Sequence, residues 1–439
     1  AVSKSDLLAL AERGVERALE LGADEAEVFL SVSMGRDVYS EGQRLKAVAP
    51  SSQSAQVRVA KGRRVAAAVA TSCNRDVLEE LVSRAVELAS KVEEDPHWRG
   101  LPDPEPPLHS WVGYDEGVAT AEIGWLAELV RGMIDEAQRT PGVKVTVASA
   151  GISVGRYAMA NSRGVSVEER GTRCSIGIYL KAGEGTGGEW ASSRSLLRDY
   201  YPIVDAAVKQ ALDASRASKL GETLKAPVLF RAKSFAQLLA SLLVPAFSAM
   251  SVLEGFSPLA NKLGQRVLGA LTIVDDGAMS GGLATSFFDG EGVARRRTIL
   301  VEDGVLKSYL HNTYTARRMG VASTGNASRG AGAVGVGPSN LIVMGGGYSE
   351  SELEAEAALV ADGSLLSVHT VNPVTGNFSV VISNPYAVKG GELTPVKPVT
   401  VSGNIYEVAA LIKPARRVKD TRTGIYTPDV LIGGLTVSG

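Results

Sequence analysis

Apolar and polar positions alternate in two distinct styles along this chain. In residues 5–21, Leu7, Leu8, Ala11, Val15, Ala18 and Leu19 recur at helical spacing, with Ser5 or Asp6 placed to cap the helix and Gly22 to stop it. Residues 27–32 alternate with the period of a strand, and a β-rich stretch follows to Ala70 with a turn at Lys61 and Gly62. Residues 76–92 return to helical spacing through Leu78, Leu81, Val82, Ala85 and Leu88. A segment at 93–113 then carries Pro96, Pro102, Pro104, Pro106 and Pro107, a density that resists regular structure and predicts a linker or a surface-packed arm.

After that segment the order repeats. Residues 119–139 predict a helix, 143–180 several strands and 200–214 another helix. The two halves share a local string, Ser33-Met-Gly35-Arg36 and Ser153-Val-Gly155-Arg156, which suggests an internal helix–strands–helix duplication. Between them and the remainder lies a polar connector at 215–225. Beyond it come a short strand at 228–230, a helix at 234–243 and then short Val- and Gly-rich alternating runs at 268–274, 298–310, 340–343, 378–383 and 396–401. The predicted class is α+β: an N-terminal α/β region with the duplication, followed by a β-rich C-terminal domain with a barrel-like or layered sheet. The expected divisions are 1–92, the Pro-rich linker 93–113, 114–220 and 221–439.

Composition narrows the function. The 439 residues can support two or three domains with cores of their own. A net charge of −2 gives no nucleic-acid footprint, and the local cluster Arg295-Arg296-Arg297 has acidic residues close by. The two cysteines, Cys73 and Cys174, read as small buried hydrophobes in a reducing compartment. No apolar run reaches 18 residues, and charges interrupt residues 1–22, so neither a membrane span nor a signal peptide is expected and the cytoplasm is the expected location.

The candidate chemistry is sparse. Lys181 to Glu189 is Gly-rich but lacks the Gly-Lys-Ser/Thr ending of a phosphate loop and carries two glutamates, so it reads as a mobile surface loop. His97 and His109 lie in the Pro-rich segment with no cysteine or carboxylate spacing that would make a metal site. His311 and His369 stand beside apolar residues, as packed histidines do. Asp275, Asp276, Asp289 and Glu291 could form a Ca²⁺-binding cluster, but they sit in Asp-Gly strings that read first as turn carboxylates. Gly151-Ile-Ser153-Val-Gly155 matches the letters of a nucleophile elbow, yet strand-like sequence follows where a helix is needed.

An ordered set of strings fills the C-terminal half. It begins with 257–264 (Ser-Pro-Leu-Ala-Asn-Lys-Leu-Gly), 272–277 (Thr-Ile-Val-Asp-Asp-Gly), 288–293 (Phe-Asp-Gly-Glu-Gly-Val) and 323–326 (Ser-Thr-Gly-Asn). It ends with 372–378 (Asn-Pro-Val-Thr-Gly-Asn-Phe), 402–404 (Ser-Gly-Asn) and 431–439. Together these resemble the TldD/PmbA family, historically called modulator of DNA gyrase and associated with metallopeptidase activity. Where TldD carries His-Glu-x-x-x-His on a helix, this chain places Ala240, Ser241 and Pro245. A zinc peptidase needs three protein ligands with one open position and a base for the water. Residues 234–256 hold no histidine, and no cysteine follows Cys174.

The chain is therefore similar to the PmbA/TldE type, the branch without the metal motif. That resemblance implies no catalytic residue and no metal ligand in this chain, and no cofactor of its own. Zinc is expected in a TldD-like partner, with which it would form a heterodimer degrading short or unfolded peptides. The apolar segment replacing the metal helix reads as ordinary core or as a packing surface for a partner. A second reading is a homodimer that binds peptides or regulates without proteolysis; in both, an extended peptide could pair with an open sheet edge.

Overall fold

The computed structural model describes residues 4–42, 44–221, 223–330 and 333–439. The N-terminal half is one curled antiparallel sheet with helices on one face. Helix α1 (Lys4–Glu20) precedes strands β1 (Glu25–Glu41), β2 (Arg44–Val48), β3 (Ser51–Lys61) and β4 (Arg64–Ala70), then helix α2 (Arg75–Ala89). Helices α3 (Glu116–Thr120) and α4 (Ile123–Gln138) precede β5 (Val143–Asn161), β6 (Ser166–Ala182), β7 (Gly185–Ser193) and helix α5 (Tyr201–Ser215). The strand order is β4-β3-β1-β5-β6-β7, with β2 on the far end of β1.

The register explains the repeated string. Met34 pairs with Val154, flanked by Ser33 with Gly155 and Gly35 with Ser153. The two Ser-x-Gly-Arg copies are thus antiparallel neighbours at the centre of the sheet, and each half runs outward from them in the same order. Alternation then sorts the faces. Val28, Leu30, Val57, Ala158 and Ala160 meet α1 and α2 in one core, and Ala150, Ile152, Ile176 and Ile178 meet α4 and α5 in another. Glu27, Phe29, Ser31 and Ser33 fall on the opposite face.

Three local expectations are corrected. The helix expected at 119–139 breaks at Ala121, whose backbone is extended, and the Arg36 guanidinium donates to the Ala119 and Ala121 carbonyls at the break. The 143–180 stretch is two long paired strands rather than several. The Gly-rich 181–189 segment is not a loose loop: it turns into edge strand β7 under α5. A Cβ on Gly187 would lie 2.0 Å from the Ala207 carbonyl oxygen, so glycine is what lets the helix backbone rest on the strand. The Pro-rich segment has no strand or helix before α3, but it is anchored. Trp98 and Leu101 are buried against Ala60, and Arg317 donates to the carbonyls of Arg99, Gly100 and Leu101.

The C-terminal region contains a closed five-stranded barrel, as the α+β reading expected. Strand β8 (Leu224–Phe230) pairs with Leu359–Leu366 on one side and Val430–Ser438 on the other. Val399–Asn404 and Asn377–Lys389 complete the ring back to Leu359–Leu366. A smaller six-stranded sheet lies alongside it in the same core and includes Ile273–Asp276, Arg297–Glu302 and Leu341–Val343. Asp303 and Gly304, both at positive φ (47° and 79°), turn the hairpin of that sheet as their sequence suggests.

Candidate functional site

The segment matching the metal motif starts as helix α6 (Ala232–Leu238). Asp429 accepts from the Ala232 amide at 2.9 Å, satisfying an orphan donor of the first turn, and is itself held by Arg231 at 3.0 Å and Lys419 at 2.8 Å. From Leu239 the helix widens to a π-turn, with the Val244 amide reaching back to the Leu239 carbonyl, and Pro245 opens a 3₁₀ turn. The straight helix expected to 243 is therefore interrupted. Phe235, Leu238, Leu239, Leu242 and Leu243 are fully buried in the barrel core, so this stripe is core and not a docking face. Ala240 faces solvent, and Ser241 Oγ donates back to the Gln237 carbonyl at 2.8 Å. Alanine and proline supply no ligand atom and the serine hydroxyl is already used. Among the described residues no group of three or more His, Cys, Asp or Glu side chains could hold a metal ion. These residues do not fit zinc.

The histidines are separate. His311 is buried, with Nδ1 3.2 Å from Thr315 Oγ1, and burial pushes its imidazole down to about 4. His109 stacks on Phe287 at 5.0 Å with Nε2 2.9 Å from the Ser286 carbonyl. His97 closes a turn on Asp95, and His369 sits in a 3₁₀ turn at Val368–Thr370. Ser153 lies mid-strand in β5, which excludes an elbow there.

The carboxylates read as turn residues are deeper than that reading allowed. Asp275 is a buried strand residue accepting from Asn326 Nδ2 and from Ser339 N and Oγ. Asp289 organises its loop by accepting the amides of Glu291, Val293 and Ala327, while burial and the Glu291 charge push its carboxyl up to about 7. Glu291 crosses to the N-terminal sheet. Arg58 on β3 donates to Glu291 Oε1 at 2.8 Å and to Glu27 Oε2 at 3.0 Å, and Arg329 donates to Glu27 Oε1 at 2.5 Å. Burial opposes these charges, but Glu27 and Glu291 more than offset it and raise Arg58, and Arg58 holds Glu291 below the usual carboxylate range. This network joins the two halves of the molecule.

Beside it a groove of about 360 Å³ opens between the helix-free face of the sheet and the Thr285–Ser286 loop. Its floor is set by register: Ser153 beside Arg173, then Gly155 beside Gly171, then Tyr157 beside Glu169. Phe29 stacks on Tyr157 at 5.6 Å, and Tyr157 Oη donates to Glu169 at 2.7 Å. Arg194, from the segment after β7, donates to the carbonyls of Thr172 and Thr285. Burial and then Arg173 push its guanidinium below the ordinary value. Four arginines and one glutamate line the groove in a chain of net charge −2. The repeated string had drawn attention to Ser33, Ser153, Gly155 and Arg156, but as a duplication and not as a groove, and Phe29, Tyr157, Glu169, Arg173 and Arg194 were missed. The polar alternation of β1, where Ser31 and Ser33 face away from the helices, was a second signal.

Comparison with known proteins gives a consistent result. Residues 223–439 match the PmbA/TldA metallopeptidase C-terminal domain, and residues 118–214 match the central domain of the same family. An uncharacterized protein of Methanocaldococcus jannaschii is 35% identical over 294 residues, 66% of this chain and 68% of that protein. Metalloprotease PmbA of Escherichia coli O157:H7 is 27% identical over 98% of this chain and 96% of its own. The crystal structure of TldE from Thermococcus kodakarensis superposes with a TM-score of 0.88 at 23% identity, covering 98% of this chain and 100% of that one, which speaks to the fold alone.

Proposed function

We infer the function from one premise: the chain belongs to the PmbA/TldD family of metallopeptidase-related proteins. We propose that it is the TldE-type, non-catalytic subunit of a heterodimeric metallopeptidase that degrades short or unfolded peptides. The observation that carries this reading is the segment at Ala240, Ser241 and Pro245. It offers no ligand atom suited to zinc, and the rest of that helix is committed to the barrel core. In the proposed complex a TldD-like partner would hold zinc, which would supply an activated water. This chain walls the chamber and presents sheet edges to which an extended peptide can add as a strand. Cys73 and Cys174 are both free and buried, in keeping with a cytoplasmic setting, and no helix among the described residues is long and apolar enough to cross a membrane.

The test is a paired assay of bound zinc and hydrolysis of an unfolded peptide mixture, for the chain alone and with a TldD-like protein from the same source. Absence of both in the lone chain, with hydrolysis appearing on mixing, is expected. Stoichiometric zinc with chelator-sensitive hydrolysis by the lone chain would overturn the proposal. Peptide binding without hydrolysis in either arm, by a homodimer, would instead favour a regulatory peptide-binding protein.

A further inference from the structure

We propose that the groove on the helix-free face of the N-terminal sheet binds the free carboxylate end of a short extended peptide, with Arg173 and Arg194 receiving the carboxylate. This rests on the reading of the chain as a peptide-handling protein and adds which end of the peptide is recognised and where.

The floor has the form that such a ligand needs. Paired residues on one face recur every second position, so Arg173, Gly171 and Glu169 descend β6 beside Ser153, Gly155 and Tyr157 on β5. From Ser153 to Tyr157 is four residues of strand, roughly 13 Å at the usual rise, the span of about four residues of extended peptide. Midway the floor drops. A Cβ built on Gly155 meets nothing within 4 Å, which leaves room for a ligand backbone to lie close to the sheet. The Arg194 guanidinium lies over the neighbouring Gly171, where a Cβ would come within 2.8 Å of Nη1. A cation is thus fixed over the middle of the groove with Arg173 at one end, while the Phe29–Tyr157 stack offers an apolar wall at the other.

Charge selects the ligand class. The exposed Arg173 guanidinium fork suits a planar carboxylate, which it can hold through paired N–H donors, and Arg194, fixed by its bonds to the Thr172 and Thr285 carbonyls, adds a second positive charge beside it. The buried Glu169 stands two register rows from Arg173 and makes the far end of the groove unfavourable to a polyanion such as a nucleotide. A peptide places its single terminal negative charge at the arginine end and its uncharged body past the glycines.

The experiment uses the full chain alone, without partner or zinc. Binding of a labelled apolar tetrapeptide with a free C-terminal carboxylate is compared with that of its C-terminal amide by fluorescence anisotropy. The acid is expected to bind about tenfold tighter or more, the scale of one charge-assisted hydrogen-bonded pair. Arg173→Gln, at an exposed position that leaves folding intact, is expected to bring acid and amide within twofold of each other. Arg194→Lys, which keeps the charge but loses the paired bonds to the Thr172 and Thr285 carbonyls that fix it over the groove, is expected to weaken the acid selectively. Equal binding of acid and amide by the unaltered chain, or a full acid preference in Arg173→Gln, overturns the proposal. Failure to activate a TldD-like partner would sink the accessory-subunit reading but leave this result standing.

Discussion

Replacing Arg58 by methionine tests how the two halves of the molecule are joined. Arg58 is the shared partner of Glu27 and Glu291, whose side chains are 0% and 1% exposed. Methionine keeps much of the volume but removes the cation. Glu27 retains its ion pair with Arg329, whereas Glu291 loses its direct ion pair and keeps the Thr313 amide on its other oxygen, at 2.8 Å, and the more distant charge of Arg329. Removing one member of a buried ion pair leaves an uncompensated charge and costs about 3–5 kcal/mol, a large part of the roughly 5–15 kcal/mol that separates folded from unfolded chains. Urea unfolding followed by tryptophan fluorescence reads this directly, because Trp98 lies 5.5 Å beneath the Arg58 guanidinium. The paired variant Arg58→Met with Glu291→Leu deletes the stranded charge as well and should recover at least half of the loss. A cost below about 1 kcal/mol for Arg58→Met, or strictly additive losses in the pair, would refute the view that the network is held by mutual charge compensation.

Two further outcomes follow from particular contacts. Gly187→Ala places a methyl 2.0 Å from the Ala207 carbonyl oxygen, and the shift forced on α5 should cost about 1–3 kcal/mol in denaturant midpoint. An exposed Gly124→Ala, with nothing within 4 Å of its Cβ, should not. His311, whose folded pKa of about 4 lies below the unfolded value, is neutral in the native state. The unfolded chain binds the extra proton, so stability contributed by the neutral imidazole is complete above about pH 6.5 and falls as pH drops towards 4, by about 3 kcal/mol in all. Unfolding titrations of His311→Gln should lack this one-proton slope, and an unchanged slope would disprove the assignment.

What could be read along the chain was whatever local periodicity encodes. The helix of Leu7 to Leu19, the strand-like alternation after Glu27, the turn at Lys61 and Gly62 and the missing ligands at Ala240, Ser241 and Pro245 all depend on spacing or residue identity within a few positions. The duplicated Ser-x-Gly-Arg string was visible too, but its meaning was not: only pairing shows that the copies face each other across Met34 and Val154. The Gly-rich 181–189 stretch was misread for a related reason. Its glycines answer to the helix that begins at Tyr201, with Gly187 meeting Ala207 twenty residues along the chain, a constraint that no local rule contains.

By itself the sequence determined the α+β class, the family resemblance and the absence of zinc ligands at the matching position, because these are properties of order and identity. Only the tertiary structure decided which charges meet. Glu27, Arg58, Glu291 and Arg329 come from four distant places and are stable in the interior only because folding brings opposite signs within about 3 Å. The groove is likewise a product of strand register and of the loops packed over one sheet face. Neither its glycine floor nor its arginines could be recognised as neighbours until long-range pairing had placed them side by side.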